Sequence, residues 1–461
     1  MRIITEPSRN LDVIAEADVV VAGGGPGGLP AAIAAARHGA KVVLIERYGF
    51  LGGLATAGLI APILGHTASR SNRPVVEGIL KEMTTRMHAI GGAPSWKDAC
   101  QEWGINFDAE ALKRVADEMV REAGVTLLLH TLVTDAIVED GRITALIIEN
   151  KSGRAAVAGN VFVDATGDAD VAFRAGAPTT QGRPFDRRVQ SMGTFLHLGG
   201  VPDMTESEKE AATEKVRAAI EDGRLHFYHP QFIATNDAHP DHLSPNMTRW
   251  AGDPTNAEDL TRAELDIRRD VWDFAAFLRA EVPGFEKCYI RATSPQVGVR
   301  ESRQVEGDYT LTGNDVHKGR KFEDGVARSS YWIDIHCPLG KVYPVHLCTT
   351  ECIEQEKCPF WAAEHDKSMF AMDALYPPDD DWHDIPYRSL TAKGFDNLLI
   401  SGRCISATHE AMSAFRVMGT CMAIGEAAGT AAAFAGRKDG AVRDVHISLL
   451  RETLIQDGAL V

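Results

Sequence analysis

Gly23, Gly25 and Gly28, within the run GGGPGG, stand at the spacing G-x-G-x-x-G. Such a spacing lets a backbone turn tightly, come close to a pyrophosphate, and start a helix whose free N–H groups face the negative charge. Glu46 closes the next apolar run, where a carboxylate can accept hydrogen bonds from both hydroxyls of a ribose. A second group of reactive side chains lies far along the chain. His409, Glu410 and Arg416 place an imidazole, a carboxylate and a guanidinium within one short segment. An imidazole can carry a proton near neutral pH, and a guanidinium can hold a carboxylate or a developing oxyanion. Arg300 and Glu301 can pair with each other at the domain junction, a structural role; Arg300, with His336, Tyr343 and His346 in a His/aromatic stretch, is also a candidate to face a substrate. Cys337, Cys348, Cys352 and Cys358 match neither a paired zinc spacing nor a ferredoxin run, so no metal is assigned to them.

The elements that must position these residues follow from patterning. Asp18–Ala22 (DVVVA) is a short apolar run of the kind buried in parallel sheets, and Lys41–Glu46 (KVVLIE) is another. Between them lie the glycine loop and an Ala-rich helix that Gly39 stops, which makes a βαβ unit. The spacing predicts an amphipathic helix over 108–123 with Asp108 as its cap, and a hairpin turning at Asp140-Gly141. It also predicts strands at 125–130, 132–138, 143–149, 161–164 and 397–401. A Gly/Ala-rich helix is expected from Gly419 to about Phe434. Between about Pro184 and Asp384 the pattern is mixed, with helical stretches at 205–222 and 258–281, and five of the seven tryptophans fall there. That change of character marks an insertion. The expected fold is α/β: a Rossmann-like domain made of residues 14–190 and 385–461, interrupted by a mixed α+β substrate or cap domain over 191–384.

Further segments bear on which dinucleotide binds. An acid at Glu46 disfavours a 2′-phosphate and leaves FAD or NAD open. Gly49–Thr56 (GFLGGLAT) offers a smooth backbone surface for a flat ring. Ala165-Thr166-Gly167-Asp168 and Gly402-Arg403 each follow an apolar strand, and each can bring backbone to the same ligand at the carboxyl end of a sheet. The Gly419 helix presents another N-terminus, suited to the anionic edge of a reduced flavin.

These motifs, read as ADVVVAGGGPGGLPAAIAAARHGAKVVLIERYGFLGGLAT, FVDATGDADVAFRAG, VGVRESRQVEGDYTL and NLLISGRCISATHEAMSAFRVMGTCMAIGEAAGTAAA, resemble the bacterial FAD-dependent oxidoreductases distantly related to fumarate reductase and succinate dehydrogenase flavoproteins. The resemblance runs from about residue 17 to 436. It implies a glutathione-reductase-type FAD domain. In it Gly23, Gly25, Gly28 and Glu46, with the adjoining Gly27 and Arg47, would hold the ADP half. Val133 would meet the adenine side through its backbone, and Gly53, Ala55 and Thr56 would lie along the isoalloxazine. Ala165, Thr166, Gly167, Asp168, Gly402 and Arg403 would line the pyrophosphate and ribityl path, and Gly419 and Thr420 would face the pyrimidine end.

The formal net charge of −16 argues against nucleic acid or anionic membrane as a partner. No apolar run is long enough to cross a bilayer, and the cysteines carry no disulfide framework, which together point to the cytoplasm. The expected function is hydride transfer between FAD and a small organic substrate, with an external electron acceptor or donor. Two other readings stand beside it: a biosynthetic protein that binds FAD or NAD without redox turnover, and a flavin electron-transfer subunit. A homo-oligomer is left open.

Overall fold

The computed structural model describes residues 2–5, 7–184, 186–226, 234–235, 241–338, 375–437 and 440–461. Its main sheet begins with β1 (Val13–Ala22), β2 (Val42–Ile45) and β3 (Thr126–Leu128), and continues with β4 (Leu132–Glu139), β5 (Arg142–Asn150) and β6 (Gly153–Asp164). The seventh strand, Leu398–Ile400, comes from the far end of the chain. β1 pairs in parallel with β2 and β6, β2 with β3, and β6 with Leu398–Ile400. The run Val19–Ala22 is buried on both faces, as the absence of polar alternation in its sequence requires.

The hairpin β4–β5 turns at Asp140 and Gly141, both at positive φ, and β5 runs antiparallel to the first half of β6. The sequence predicts only 161–164 of β6 as strand, because the residues before it are small or polar. The structure extends it to Gly153, since β1 on one edge and β5 on the other supply ladder hydrogen bonds that do not depend on apolar side chains.

Helix α1 (Gly28–Arg37) follows the glycine loop, and α2 (Ile79–Ala89) lies later in the chain. The predicted helix at 108–123 is α3 (Ala109–Glu122), capped by the Asp108 carboxylate, which accepts from the N–H groups of Glu110 and Ala111. Near the C-terminus come α4 (His409–Phe415), α5 (Met418–Gly436) and α6 (Ile447–Gln456). α5 is the Gly/Ala-rich helix, and it packs on α1 almost backbone to backbone. A Cβ built on Gly425 would fall 2.2 Å from the Gly27 carbonyl oxygen, and one on Gly429 would fall 2.0 Å from that of Ala31. Close helix packing is therefore one reason for the small residues of this helix.

A second sheet has the order Tyr289–Thr293, Leu196–Gly199, His242–Pro245, Ala234–Thr235 and pairs antiparallel. With the helices Glu206–Glu221 and Ala257–Glu281 it encloses a separate apolar cluster drawn from Met192 to Val299. Buried residues from Val305 through Ile335, and Leu375, instead join the cluster of the main sheet. Among the described residues no single helix is long and apolar enough to cross a membrane.

Candidate active site

Strand register assembles the site. Ala22 of β1 stands beside Ile45 of β2 and Asp164 of β6, and Asp164 stands beside Ile400. Four parallel strands thus end on one row. The residues that follow them emerge at one edge, where Gly23 N–H donates to Ile45 O, Ala165 N–H to Ala22 O and Ser401 N–H to Asp164 O. A cleft of about 430 Å³ opens there. It is lined by Gly23, Gly25, Gly27, Glu46, Arg47, Gly53 and Val133, by Ala165, Thr166, Gly167 and Asp168, and by Gly402 and Arg403, all expected from the sequence.

Within the glycine loop the three motif positions differ. Gly28 is fixed by packing, because a Cβ there would sit 1.8 Å from Gly23 O. Gly25 has room: the nearest atom to its Cβ would be the Gly53 Cα at 3.4 Å, so the space it leaves belongs to the cleft. α1 begins with no side-chain cap and no acidic residue in its first turn, which leaves its positive end available to an anion. The Glu46 carboxylate accepts from Gly24 N–H at 2.7 Å and from Tyr48 N–H at 2.9 Å. Burial pushes its pKa above the ordinary carboxylate value in spite of those donors. Asp168 accepts from Arg403 Nη2 at 2.5 Å and from Ser302 Oγ at 2.7 Å. Burial opposes its charge, yet Arg403 and Ser302 hold its carboxyl below the usual range.

Other expected residues sit behind the lining. Thr56 is buried, with its hydroxyl donating to Leu51 O. Ala55 is buried beside it. Gly419 N–H donates to Leu64 O, and Thr420 Oγ1 donates to Ser329 Oγ. The first turns of α5 meet the cleft instead through Met418 and Cys421, with Val417 just before them.

Of the three expected catalytic residues, Arg416 lines the cleft and His409 and Glu410 do not. The His409 side chain is fully buried, with Nδ1 2.7 Å from Glu301 Oε1. Glu301 Oε2 in turn accepts from Gln190 N–H at 2.8 Å. Glu410 stands in the first turn of α4, packed near Gly313. Arg416 Nη2 donates to Asp334 O at 3.0 Å and to Asp334 Oδ2 at 3.2 Å. His336 and Arg300 line the same cleft. His336 Nε2 lies 3.4 Å from Asp334 Oδ2, and Arg300 Nη1 donates to Ser191 O at 2.8 Å. Tyr343 and His346 lie outside the described residues, as do Cys348, Cys352 and Cys358; Cys337 is buried.

Burial drives the His336 pKa well below its ordinary value, so the imidazole is neutral. Burial also opposes the charge on Asp334, but Arg416 and Arg300, with a hydrogen bond from the neutral His336, keep its carboxyl ionised well below the carboxylate range. Asp334, Tyr331, Trp332, Asn246, Arg249 and Gln296 line the cleft and were not singled out by the sequence. Asp334 had a readable signal, since a spacing of two from His336 puts both on one face of an extended chain. Arg249 and Gln296 reach the cleft only through the second lobe's fold, which no spacing announces.

Residues 18–454 match the sequence family described as FAD dependent oxidoreductase. The chain belongs to this family. The oxidoreductase accordingly binds FAD. It is 29% identical over 144 residues to thiamine thiazole synthase of Methanococcus vannielii, a stretch that is 31% of this chain and 49% of that protein. It is 39% identical over 79 residues to soluble pyridine nucleotide transhydrogenase of Chromohalobacter salexigens, 17% of this chain and 16% of that one. The oxidoreductase thus spans less than half the length of these curated relatives. Among solved structures it is similar to a geranylgeranyl bacteriochlorophyll reductase-like protein of Thermoplasma acidophilum, at 13% identity and TM-score 0.44, over 96% of this chain and 84% of that one. It is also similar to the flavin-dependent brominase Bmp2, at 18% identity and TM-score 0.38, over 63% and 69% of the two chains. The residues present suit FAD: an uncapped helix start, a loop glycine with open space before it, and a buried acid at the end of the second strand.

Proposed function

We propose that the oxidoreductase transfers a hydride between FAD and a small organic substrate, in a glutathione-reductase-type domain completed by the second lobe. The observation that carries this reading is the shared row of strand ends, which delivers the glycine loop, Glu46, the 165–168 turn and the 401–403 turn to one cleft. Gly23, Gly25, Gly27, Gly28, Glu46 and Arg47 take the ADP half, with Val133 on the adenine side. Asp168 and Arg403, fixed by their ion pair, border the ribityl path. Gly53 offers its backbone to the ring, while Ala55, Thr56, Gly419 and Thr420 support that surface from behind. The FAD domain comprises residues 14–190 and 385–461, and the substrate lobe is drawn from the intervening segment, with its own core over Met192–Val299.

FAD supplies the electron chemistry when bound. The chain's own residues do the rest. Arg416 is held in place by Asp334 and presents its guanidinium to the cleft. His336 points Nε2 at Asp334, which leaves Nδ1 as the basic atom of a neutral imidazole, placed to accept a proton from substrate. His409, paired with Glu301, and Glu410 brace the segment that carries Arg416 rather than touching substrate. Anaerobic single-turnover mixing tests the assignment by following flavin absorbance. His336→Ala and Arg416→Ala should retain FAD and slow flavin reduction by a given substrate about 100-fold. Unchanged reduction rates in both variants would refute it.

A further inference from the structure

We propose that Gln296, from the second lobe, is a cofactor-positioning residue that ties the segment 296–300 down over the cleft, so that FAD enters and leaves only when that segment lifts. This rests on the reading that places the ADP half beside Glu46. Gln296, Gly298, Val299 and Arg300 all line the cleft. Gln296 stands at the dinucleotide end, where it meets Arg47 and Tyr48. Arg300 stands at the other end, where it acts on Asp334 and His336. One short stretch of chain therefore runs from the ADP end to the substrate end, and a long cofactor lying in the cleft lies beneath it.

The tie joins two bodies that are each firmly built. On the FAD side, Tyr48 N–H donates to Glu46 Oε1 at 2.9 Å. The Arg47 guanidinium lies over the Tyr48 ring, 4.9 Å from its centroid, and that ring stacks on Phe50 at 5.5 Å with the planes 6° apart. Both donors to Gln296 are thus fixed directly after the buried acid. On the other side, Val297 and Val299 are buried in the apolar cluster of the second lobe. Val297 N–H donates to Glu264 Oε1 at 2.6 Å, on the helix Ala257–Glu281. Gly298 N–H donates to Gly193 O at 2.8 Å, and Gly193 N–H to Gly298 O at 3.1 Å. The segment is built into the second lobe. Gln296 connects it to the FAD side: its Oε1 accepts from Arg47 Nη2 and from the Tyr48 hydroxyl, and its N–H donates to Ala57 O at 3.1 Å.

Such a tie suits an opening that has to be reversible. A hydrogen bond exchanged for water contributes a factor of about 2–12 to an equilibrium, so the two at Oε1 favour the closed arrangement by about 10–100-fold. Because Gln296 touches protein on both sides, it biases the empty and the loaded cleft alike. Loosening it speeds loading and release together and leaves the affinity nearly unchanged. Loss of a direct contact to FAD speeds release alone.

Exchange kinetics separate these cases. FAD-loaded protein is mixed with an excess of radiolabelled FAD, and uptake of label followed by rapid desalting gives the release rate. Full-length protein freed of FAD is mixed with FAD, and quenching of flavin fluorescence gives the loading rate. Gln296→Ala should raise both rates about 10–100-fold and change Kd by less than about 3-fold. Tyr48→Phe should raise both by about 2–12-fold in the parent and add nothing to Gln296→Ala, because its hydroxyl acts through Gln296. Unchanged rates in a folded Gln296→Ala protein overturn the proposal. So does faster release with unchanged loading, which would make Gln296 a direct contact of FAD, and so does a Tyr48→Phe effect of equal size in both backgrounds. If Gln296→Ala does not fold, the two rates of Tyr48→Phe decide alone. Gly25→Val isolates the underlying reading: a variant that keeps FAD refutes the placement of the ADP half, whereas loss of FAD there beside parental exchange in Gln296→Ala refutes only the tie.

Discussion

Glu426 is a carboxyl group in the middle of the Gly/Ala-rich helix α5, and replacing it with glutamine should change how stability responds to pH. The side chain is buried, and its Oε2 accepts from Ile79 N–H at 3.1 Å at the start of α2. Arg37 on α1, Glu82 on α2 and Asp457 beyond α6 surround it, but Arg37 is already committed to Glu82 through two hydrogen bonds. Burial, first, and the neighbouring acids push the Glu426 pKa up from the ordinary carboxyl range to about 7. A raised pKa means that the folded state holds the proton more tightly than the unfolded chain. The stability this confers is fully present below about pH 4.5 and is lost as pH rises to about 7. At 1.36 kcal/mol per unit the loss is about 3 kcal/mol. With an unfolding entropy of about 2.1 cal/mol/K per residue over 461 residues, that corresponds to about 3 °C in Tm. Glu426→Gln keeps an acceptor for Ile79 N–H and removes the titration. The gap between variant and parent Tm should therefore widen in the variant's favour by about 3 °C from pH 4.5 to 7.5, then stay level. Thermal unfolding followed by circular dichroism across that range measures it. Parallel Tm curves for the two proteins would show that the buried carboxyl does not titrate as argued.

Gly25→Val should give a folded protein that fails to retain FAD, because its Cβ would meet no atom closer than the Gly53 Cα at 3.4 Å and its branches would fill the cleft, whereas Gly28→Ala should fail to fold; FAD released on denaturation and the unfolding transition report the two outcomes. Arg416→Lys should recover only part of the substrate affinity lost in Arg416→Ala, since an ammonium cannot make the bidentate contact, and a Lys variant equal to the parent in KM would argue against that contact. His409→Ala should cost about 3 kcal/mol of stability or more, as it strips the Glu301 carboxylate of a buried partner. Denaturant titration tests this, and a purely kinetic defect with unchanged stability would return His409 to the reacting groups.

The cofactor half was legible because its signals are local. A glycine spacing, two apolar runs and a terminal acid are adjacent in sequence, and backbone geometry alone brings them together. Asp108, Asp140 and Gly141 were readable for the same reason, since caps and hairpin turns are decided by a few neighbours. The substrate end was less so. His409 looked suited to chemistry because of where it falls between a strand and a helix, but the facing Glu301 comes from 108 residues away and takes its ring out of the cleft. Arg249 and Gln296 are placed by the fold of the second lobe. Gln296 accepts hydrogen bonds from Arg47 and from the Tyr48 hydroxyl across the cleft, a contact that no pattern in either segment foretells. The N-terminus of α5 was expected to face a bound flavin; farther along the helix, Gly425 and Gly429 serve a neighbouring helix, which the sequence did not announce.

That helix contact also sets a timetable. Gly27 at the base of the loop meets Gly425, and the strand that completes the row of ends begins at Leu398. A ribosome adding about 5–20 residues per second needs roughly 20–75 s to travel from the first strand to the last. For that whole interval the loop has neither α5 behind it nor the 401–403 turn beside it. The nascent chain must keep an apolar N-terminal sheet from aggregating while its final partners are still being made, so cofactor loading belongs to the completed chain. Chains stalled before residue 398 should retain no flavin once excess FAD has been washed away, whereas full-length chains released from the same ribosomes should retain it.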